Sequence, residues 1–286
     1  MTGMLYLCAT PIGNLKDMTP RVLETLNSVD LIAAEDTRNS RKLLTHFDIH
    51  TPMTSYHEYN KVEKAYQLIE KMEQGLNIAL ITDAGTPAIS DPGEVLVRMC
   101  QEAEITVTSL PGPAACITAL TLSGLSTRRF CFEGFLPAKK KDKAVILEEL
   151  KKESRTIVIY EAPHRLKRTL NELYEALGER RVTLCRELTK VFETVIPTTL
   201  GEAVTLYEAE EPRGEFVLVI EGRGLEEKRR EEITDWERMS VEEHMEFYES
   251  RGMDSKSAMK QVAKDRGVGK REIYSYLNKE TADGWH

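Results

Sequence analysis

A chain of 286 residues, 41% hydrophobic and 30% charged, can bury a good core and divides most naturally into two compact domains plus something smaller. This is the composition of a soluble globular protein, and no apolar run approaches the roughly 18 residues that a membrane span needs. The net charge of −8 argues against a protein that coats nucleic acid, although the distribution of charge matters more than its sum.

The N-terminus enters a strand pattern directly, without a basic or signal-like stretch, which predicts a cytoplasmic protein. Strand-like runs recur at 5–9, 31–34, 78–82 and 105–110. Helical patterns lie between them at about 20–28, 40–47, 61–73 and 94–102. The alternation predicts a mainly parallel sheet with helices on its faces. After the apolar run Ile78-Ala79-Leu80-Ile81-Thr82 comes Asp83 to Gly93, Asp-Ala-Gly-Thr-Pro-Ala-Ile-Ser-Asp-Pro-Gly. Pro87 and Pro92 stiffen this loop, while Gly85 and Gly93 permit backbone conformations that other residues resist. A loop at the carboxyl end of a strand in an open α/β sheet is where ligands sit. It is neither a P-loop nor a Gly-x-Gly-x-x-Gly turn, so ordinary nucleotide binding is not the first reading.

Pro111-Gly112-Pro113 then punctuates the chain before a small-residue helix over 114–123, and a hinge is expected between about 112 and 128. A second set of strands follows at 130–132, 156–160, 182–185, 191–197 and 216–220, with helices near 143–152, 166–177 and 201–208. This half is more mixed, with antiparallel strands expected late in it. Lys139-Lys140-Lys141-Asp142-Lys143 is a basic run, and Arg165, Lys167 and Arg168 cluster soon after. Such runs are either solvated faces or guides for a polyanion.

After Gly224 the composition changes. Residues 226–249 hold ten acidic side chains against four basic, and 251–279 hold eight basic against three acidic. Within the basic part, Ala263-x-x-x-Gly267-Val268 precedes Ile273, Tyr274 and Leu277, which is helix-turn-helix spacing. A helical hairpin that packs on the body and binds nothing fits the same pattern. The five cysteines (8, 100, 116, 131, 185) form no Cys-x-x-Cys pair, which predicts reduced, mostly buried thiols. Neither they nor the six histidines show ligand spacing, so no metal is expected, and no Gly-x-Ser-x-Gly elbow occurs.

Several stretches carry a resemblance together. They are Thr10-Pro11-Ile12-Gly13-Asn14-Leu15, Ala33-Ala34-Glu35-Asp36-Thr37-Arg38, the 83–93 loop, Pro111-Gly112-Pro113, Glu133-Gly134-Phe135-Leu136-Pro137 and Arg186-Glu187-Leu188-Thr189-Lys190. In this order and spacing, over about residues 5–222, the chain resembles the tetrapyrrole methylase superfamily. It is most similar to the members that methylate the ribose 2′-oxygen of a cytidine in the 16S rRNA decoding centre with S-adenosylmethionine. Many superfamily members have Gly-Gly-Asp-Pro where this chain has Ala84-Gly85-Thr86-Pro87, so the tetrapyrrole enzymes are the poorer match. The resemblance implies an α/β fold of two domains, 1–115 and 116–225, with the cofactor in the cleft between them. An acidic linker and a small basic helical extension, helix-turn-helix-like, would fill 226–286, and the superfamily is usually homodimeric. The resemblance puts the S-adenosylmethionine contacts at Pro11, Ala84, Gly85, Thr86, Ile89, Ala114, Ala115, Glu161, Ala162 and Phe216.

Methyl transfer to oxygen is an in-line displacement, so the protein must align the reacting atoms and exclude water. A ribose hydroxyl is weakly acidic, and a positioned base or nearby cation helps it attack. Strand-end candidates are Glu35, Asp36, Glu161, His164, Glu187 and Lys190, of which Glu161, His164 and Glu187 are carried forward as catalytic candidates without ranking. Glu35 and Asp36 equally suit capping of the following helix. His164 equally suits an exposed loop, and catalysis by orientation alone stays open. Lys139, Lys140, Lys141, Arg165, Lys167, Arg168, Lys190, Lys270 and Arg271 are the expected contacts to 16S rRNA in the small ribosomal subunit. The rival readings are a methyltransferase for a porphyrin-like small molecule and a DNA-binding regulator whose body senses a metabolite.

Overall fold

The computed structural model describes residues 2–224, 236 and 239–279. Part of the expected acidic linker, 226–235, lies outside the described residues. No helix among the described residues is long and apolar enough to cross a membrane.

The first sheet comprises β1 (Leu5–Cys8), β2 (Leu31–Ala34), β3 (Met53–Ser55), β4 (Ile78–Ile81) and β5 (Val107–Leu110). Its order is β3-β2-β4-β1-β5, and every pair is parallel. Helices α1 (Pro20–Ser28), α2 (Thr37–His46), α3 (Lys61–Glu73) and α4 (Gly93–Glu102) supply the crossovers. All four residues of β4 are buried, as a strand covered on both faces requires. Alternate side chains feed opposite cores: Ile78 and Leu80 join Leu68, Met72 and Leu96, whereas Ala79 and Ile81 join Val22, Leu26 and Leu44. One unexpected strand and one shifted helix start have visible reasons. Strand β3 gives no sequence signal because it is a three-residue edge with no fully buried side chain. Helix α2 starts at Thr37 rather than Ser40 because the Asp36 carboxylate accepts a bond from the Arg38 amide at 2.8 Å and caps the helix there.

The second sheet comprises β6 (Phe130–Phe135), β7 (Thr156–Glu161), β8 (Arg181–Arg186), β9 (Thr194–Thr199) and β10 (Phe216–Ile220), in the order β6-β7-β10-β8-β9. Only β6 and β7 pair in parallel; the rest is antiparallel. Helices α6 (Lys140–Lys152), α7 (Pro163–Leu177) and α8 (Leu200–Ala209) cover one face through Leu150, Leu166, Leu170, Leu173 and Ala203. Helix α5 (Ala115–Leu122) covers the other, packing Cys116, Ala119 and Leu120 against Val158, Val217 and Val219. Strand β6 runs past Phe132 through a bulge at Gly134, whose φ is +61°. A Cβ on Gly134 would lie 2.8 Å from the Ser90 Oγ, so the glycine allows the 83–93 loop to rest on the second sheet.

The described residues after Gly222 form a separate compact unit, seen in α9 (Val241–Glu249), α10 (Ser255–Asp265) and α11 (Lys270–Lys279). Val241, Met245, Ala258, Val262, Ala263 and Ile273 make its core, and Gly267 takes a φ of +66° in the turn between α10 and α11. Arg266 donates to the carbonyls of Met239 at 2.6 Å and Ser240 at 2.8 Å, which ties the turn to the start of α9.

Lys143, the last member of the basic run, is buried, and its Nζ donates to Glu172 Oε2 at 2.6 Å. Lys143→Ala should therefore lower the unfolding free energy by about 3 kcal/mol in urea titrations. The exposed Lys140→Ala should change it by less than about 0.5 kcal/mol.

Candidate functional site

A cavity of about 470 Å³ lies where the carboxyl ends of β1, β2 and β4 meet the second sheet. Its first wall is the 83–93 loop. The Thr10 amide donates to the Gly85 carbonyl at 2.9 Å, and the Gly85 amide returns a bond to the Thr10 carbonyl at 3.0 Å. Gly85 meets this geometry with a φ of +86°. Thr86 Oγ1 donates to the Pro113 carbonyl at 2.9 Å, joining the loop to the segment before α5. Asp91 organises the far end: its carboxylate accepts the amides of Ala88 (3.0 Å), Ile89 (3.2 Å) and Gly93 (2.7 Å). Those bonds hold Ala88 and Ser90 at φ of +67° and +60°, conformations that cost energy without such support.

The second wall follows from strand register. Phe216, at the start of β10, stands opposite Glu161 at the end of β7 and Arg186 at the end of β8. Tyr160, Glu161, Ala162, Cys185, Leu188, Glu215, Phe216 and Val217 therefore gather at one edge. Tyr160 accepts a bond from the Cys116 amide at 3.0 Å and meets Phe132 and Phe135 edge-on, with ring centroids 4.9 and 5.6 Å away. Burial pushes its phenol well above the usual range.

Ala84, Gly85, Thr86, Ile89, Ala114, Ala115, Glu161, Ala162 and Phe216 all line this cavity. Pro11 does not, whereas its neighbour Ile12 does. The catalytic candidates fare differently. Glu161 is 1% exposed; its Oε1 accepts the Ala162 amide at 2.9 Å and sits 3.3 Å from Arg165 Nε, while its Oε2 accepts the Thr169 hydroxyl at 2.5 Å. It anchors the β7–α7 corner, with both oxygens engaged. His164 is exposed at the start of α7 and is absent from the wall. Glu187 Oε1 accepts Lys190 Nζ and the Glu215 amide, each at 2.9 Å, and Lys190 also donates to Glu215 Oε2 at 2.9 Å. The bond from Lys190 holds the Glu187 carboxyl below its ordinary range. A Cβ on Gly13 would lie 2.4 Å from Lys190 Cγ, so the glycine of the first motif lets the chain pass this triad closely.

The wall also holds Glu35, Thr82 and Asp83. Glu35 is one of the strand-end acids expected from sequence, whereas Asp83 opens the loop and carries no sequence signal of a role. Thr82 Oγ1 donates to Glu35 Oε2 at 2.6 Å, and Asp83 accepts the Asp36 amide and Asn39 Nδ2, each at 3.2 Å. Of the expected RNA contacts, Lys139, Lys140, Lys141 and Arg168 are exposed on α6 and α7, as are Lys270 and Arg271 at the start of α11. Arg165 turns inward to the Leu136 carbonyl at 2.5 Å, Lys167 pairs with Glu211 at 2.7 Å, and Lys190 sits in its triad.

A parallel sheet whose carboxyl ends open onto a cavity closed by a second α/β layer defines the class of α/β folds whose small-molecule sites sit at strand ends. The family model for tetrapyrrole (corrin/porphyrin) methylases matches residues 4–204. The ribosomal RNA small subunit methyltransferase I of Halalkalibacterium halodurans is 50% identical over 97% of this chain and 96% of its own length. That of Bacillus subtilis is 49% identical over 95% of this chain and 93% of its own. Among solved structures, diphthine synthase superimposes with a TM-score of 0.63 at 13% identity, over 78% of this chain and 91% of its own. Uroporphyrin-III-C-methyltransferase from Thermus thermophilus gives 0.55 at 18% identity, over 76% and 94%. The chain belongs to the tetrapyrrole methylase family and, within it, to the ribosomal RNA small subunit methyltransferase I group.

Asp91→Ala removes the acceptor for three loop amides and should cost about 1–3 kcal/mol. Hydrogen exchange should then accelerate across 83–93 and stay unchanged in β7 and β10.

Proposed function

We propose that this chain transfers the methyl group of S-adenosylmethionine to the ribose 2′-oxygen of a cytidine in the decoding centre of 16S rRNA, within the small ribosomal subunit. The observation that carries the reading is about 50% identity, over nearly the full chain, to relatives named for methylating small-subunit rRNA. In this reading residues 1–115 and 116–225 are the two lobes around the methyl donor, 226–286 is an accessory extension, and the enzyme works as a cytoplasmic homodimer.

The cavity suits the donor. Its volume falls within the ~300–1,000 Å³ range of small-molecule sites. Ile12, Ala114, Ala115, Phe216 and Val217 offer apolar surface for a nucleoside, and the backbone of 84–86 offers hydrogen-bonding groups. Five carboxylates and no Lys, Arg or His line it, a balance that suits a cationic sulfonium. The bound donor supplies an activated methyl. The chain's own tasks are to hold it, exclude water and present the hydroxyl in line. Lys139, Lys140 and Lys141, exposed at the start of α6, are the body's best contacts for RNA phosphate.

The decisive experiment is transfer of labelled methyl to small subunits purified from cells lacking the activity, with the modified nucleotide mapped. A single 2′-O-methylcytidine at the decoding centre is expected. Absence of label on subunits, with label on a tetrapyrrole, would overturn the reading. Reversing Lys139, Lys140 and Lys141 to Glu should weaken subunit binding and reduce the salt slope by at least about 3, with cofactor affinity unchanged. Equal loss of both affinities would contradict this division of labour.

A further inference from the structure

Seven ionisable side chains reach the cavity wall: Glu35, Asp83, Asp91, Tyr160, Glu161, Cys185 and Glu215. Most are committed elsewhere. Asp91 accepts three loop amides, Glu161 is 1% exposed with Oε1 3.3 Å from Arg165 Nε, and Glu215 is paired with Lys190. Tyr160 and Cys185 hold their protons too tightly to be deprotonated near neutral pH, the thiol being pushed up to about 12 by burial. Glu35 and Asp83 remain, brought together because β2 and β4 run in parallel register and end side by side. Glu35 is only partly exposed and takes a charge-assisted bond from the Thr82 hydroxyl at 2.6 Å. Asp83 takes one amide on each oxygen, is in no ion pair among the described residues, and is exposed to the cavity directly before Ala84-Gly85-Thr86.

We propose that Asp83 is the catalytic residue that accepts the proton of the attacking hydroxyl. The assignment rests on the function proposed above. In the step, the bond from the hydroxyl oxygen to the methyl carbon forms as the sulfur–methyl bond breaks. The bonding pair stays on sulfur, leaving a neutral thioether, and the hydroxyl proton passes to the Asp83 carboxylate and then to water. The surroundings suit this task. Burial, and then the neighbouring charge of Glu35 and Asp36, raise the Asp83 carboxyl above its ordinary range, although bonds from Asn39 and the Asp36 amide oppose the rise. The nearby cation, Arg38, is spent on Asp36, to which its Nε and Nη2 donate at 3.1 and 2.8 Å. That pairing holds Asp36 at about 2, ionised throughout the working range.

The test is single-turnover methyl transfer to small subunits as a function of pH, for the wild type, Asp83→Asn and Glu35→Gln, with equilibrium S-adenosylmethionine binding measured in parallel. Asp83→Asn should slow transfer by about 10²–10⁴-fold and weaken cofactor binding by less than about tenfold, and the retained binding also shows that it folds. A base must be unprotonated, so the wild-type rate should fall as pH drops through the Asp83 pKa. Glu35→Gln removes a neighbouring negative charge and should move that acid limb to lower pH. Near-wild-type transfer by Asp83→Asn, or an acid limb that Glu35→Gln leaves in place, would overturn the assignment alone. A wild type that binds cofactor yet methylates no subunit would overturn the function and the assignment together.

Discussion

The paired backbone bonds between Thr10 and Gly85 fix the floor of the cavity between the two layers. Parallel strands β1 and β4 would otherwise release their chains into separate turns, leaving buried amides and carbonyls unmatched at about 1–3 kcal/mol each. The antiparallel bridge instead turns the two chains toward each other across the end of the sheet. Everything downstream leans on it. Ile12 reaches the cavity, Gly13 passes the Lys190 triad, Thr86 holds the Pro113 carbonyl, and Ser90 meets the bulge at Gly134. The approaches at Gly13 and at Ser90 join the first sheet to the second, so the loop that would hold the donor also helps seat the two layers on each other.

Charge is divided along the same lines. The cavity gathers carboxylates without cations, and most of those carboxylates are structural. Glu161 and Asp91 hold corners, while Glu215 and Glu187 share Lys190. Lys139, Lys140 and Lys141 lie outside it, exposed at the start of α6. A cationic methyl donor and a polyanionic acceptor would thus meet surfaces of opposite sign, and the chain's net charge of −8 conceals that separation.

Much of this was legible because it is written in local pattern. The unbroken apolar run of β4 announces burial on both faces, and the Gly/Pro/Asp punctuation after it announces a shaped loop. Motif order added the second wall, where Ala162 and Phe216, fifty-four residues apart, share an edge only through antiparallel register. What local pattern cannot carry is the direction in which a charged side chain points. Lys143 and Arg165 sit in basic clusters yet turn inward, because helix periodicity puts Lys143 on the core face of α6 and Arg165 over Leu136 and Glu161. Asp83 drew no role from sequence for a related reason. Its significance depends on standing beside Glu35, forty-eight positions away, once β2 and β4 pair.

In the proposed enzyme one cavity, walled by the 83–93 loop, the ends of β7 and β8 and the start of β10, holds the methyl donor. A crystal structure with S-adenosylhomocysteine tests it most directly. The nucleoside is expected between Ala114–Ala115 and Phe216–Val217, with the sulfur within reach of a hydroxyl bound at Asp83. A ligand seated elsewhere, or one touching only one of the two layers, would contradict it.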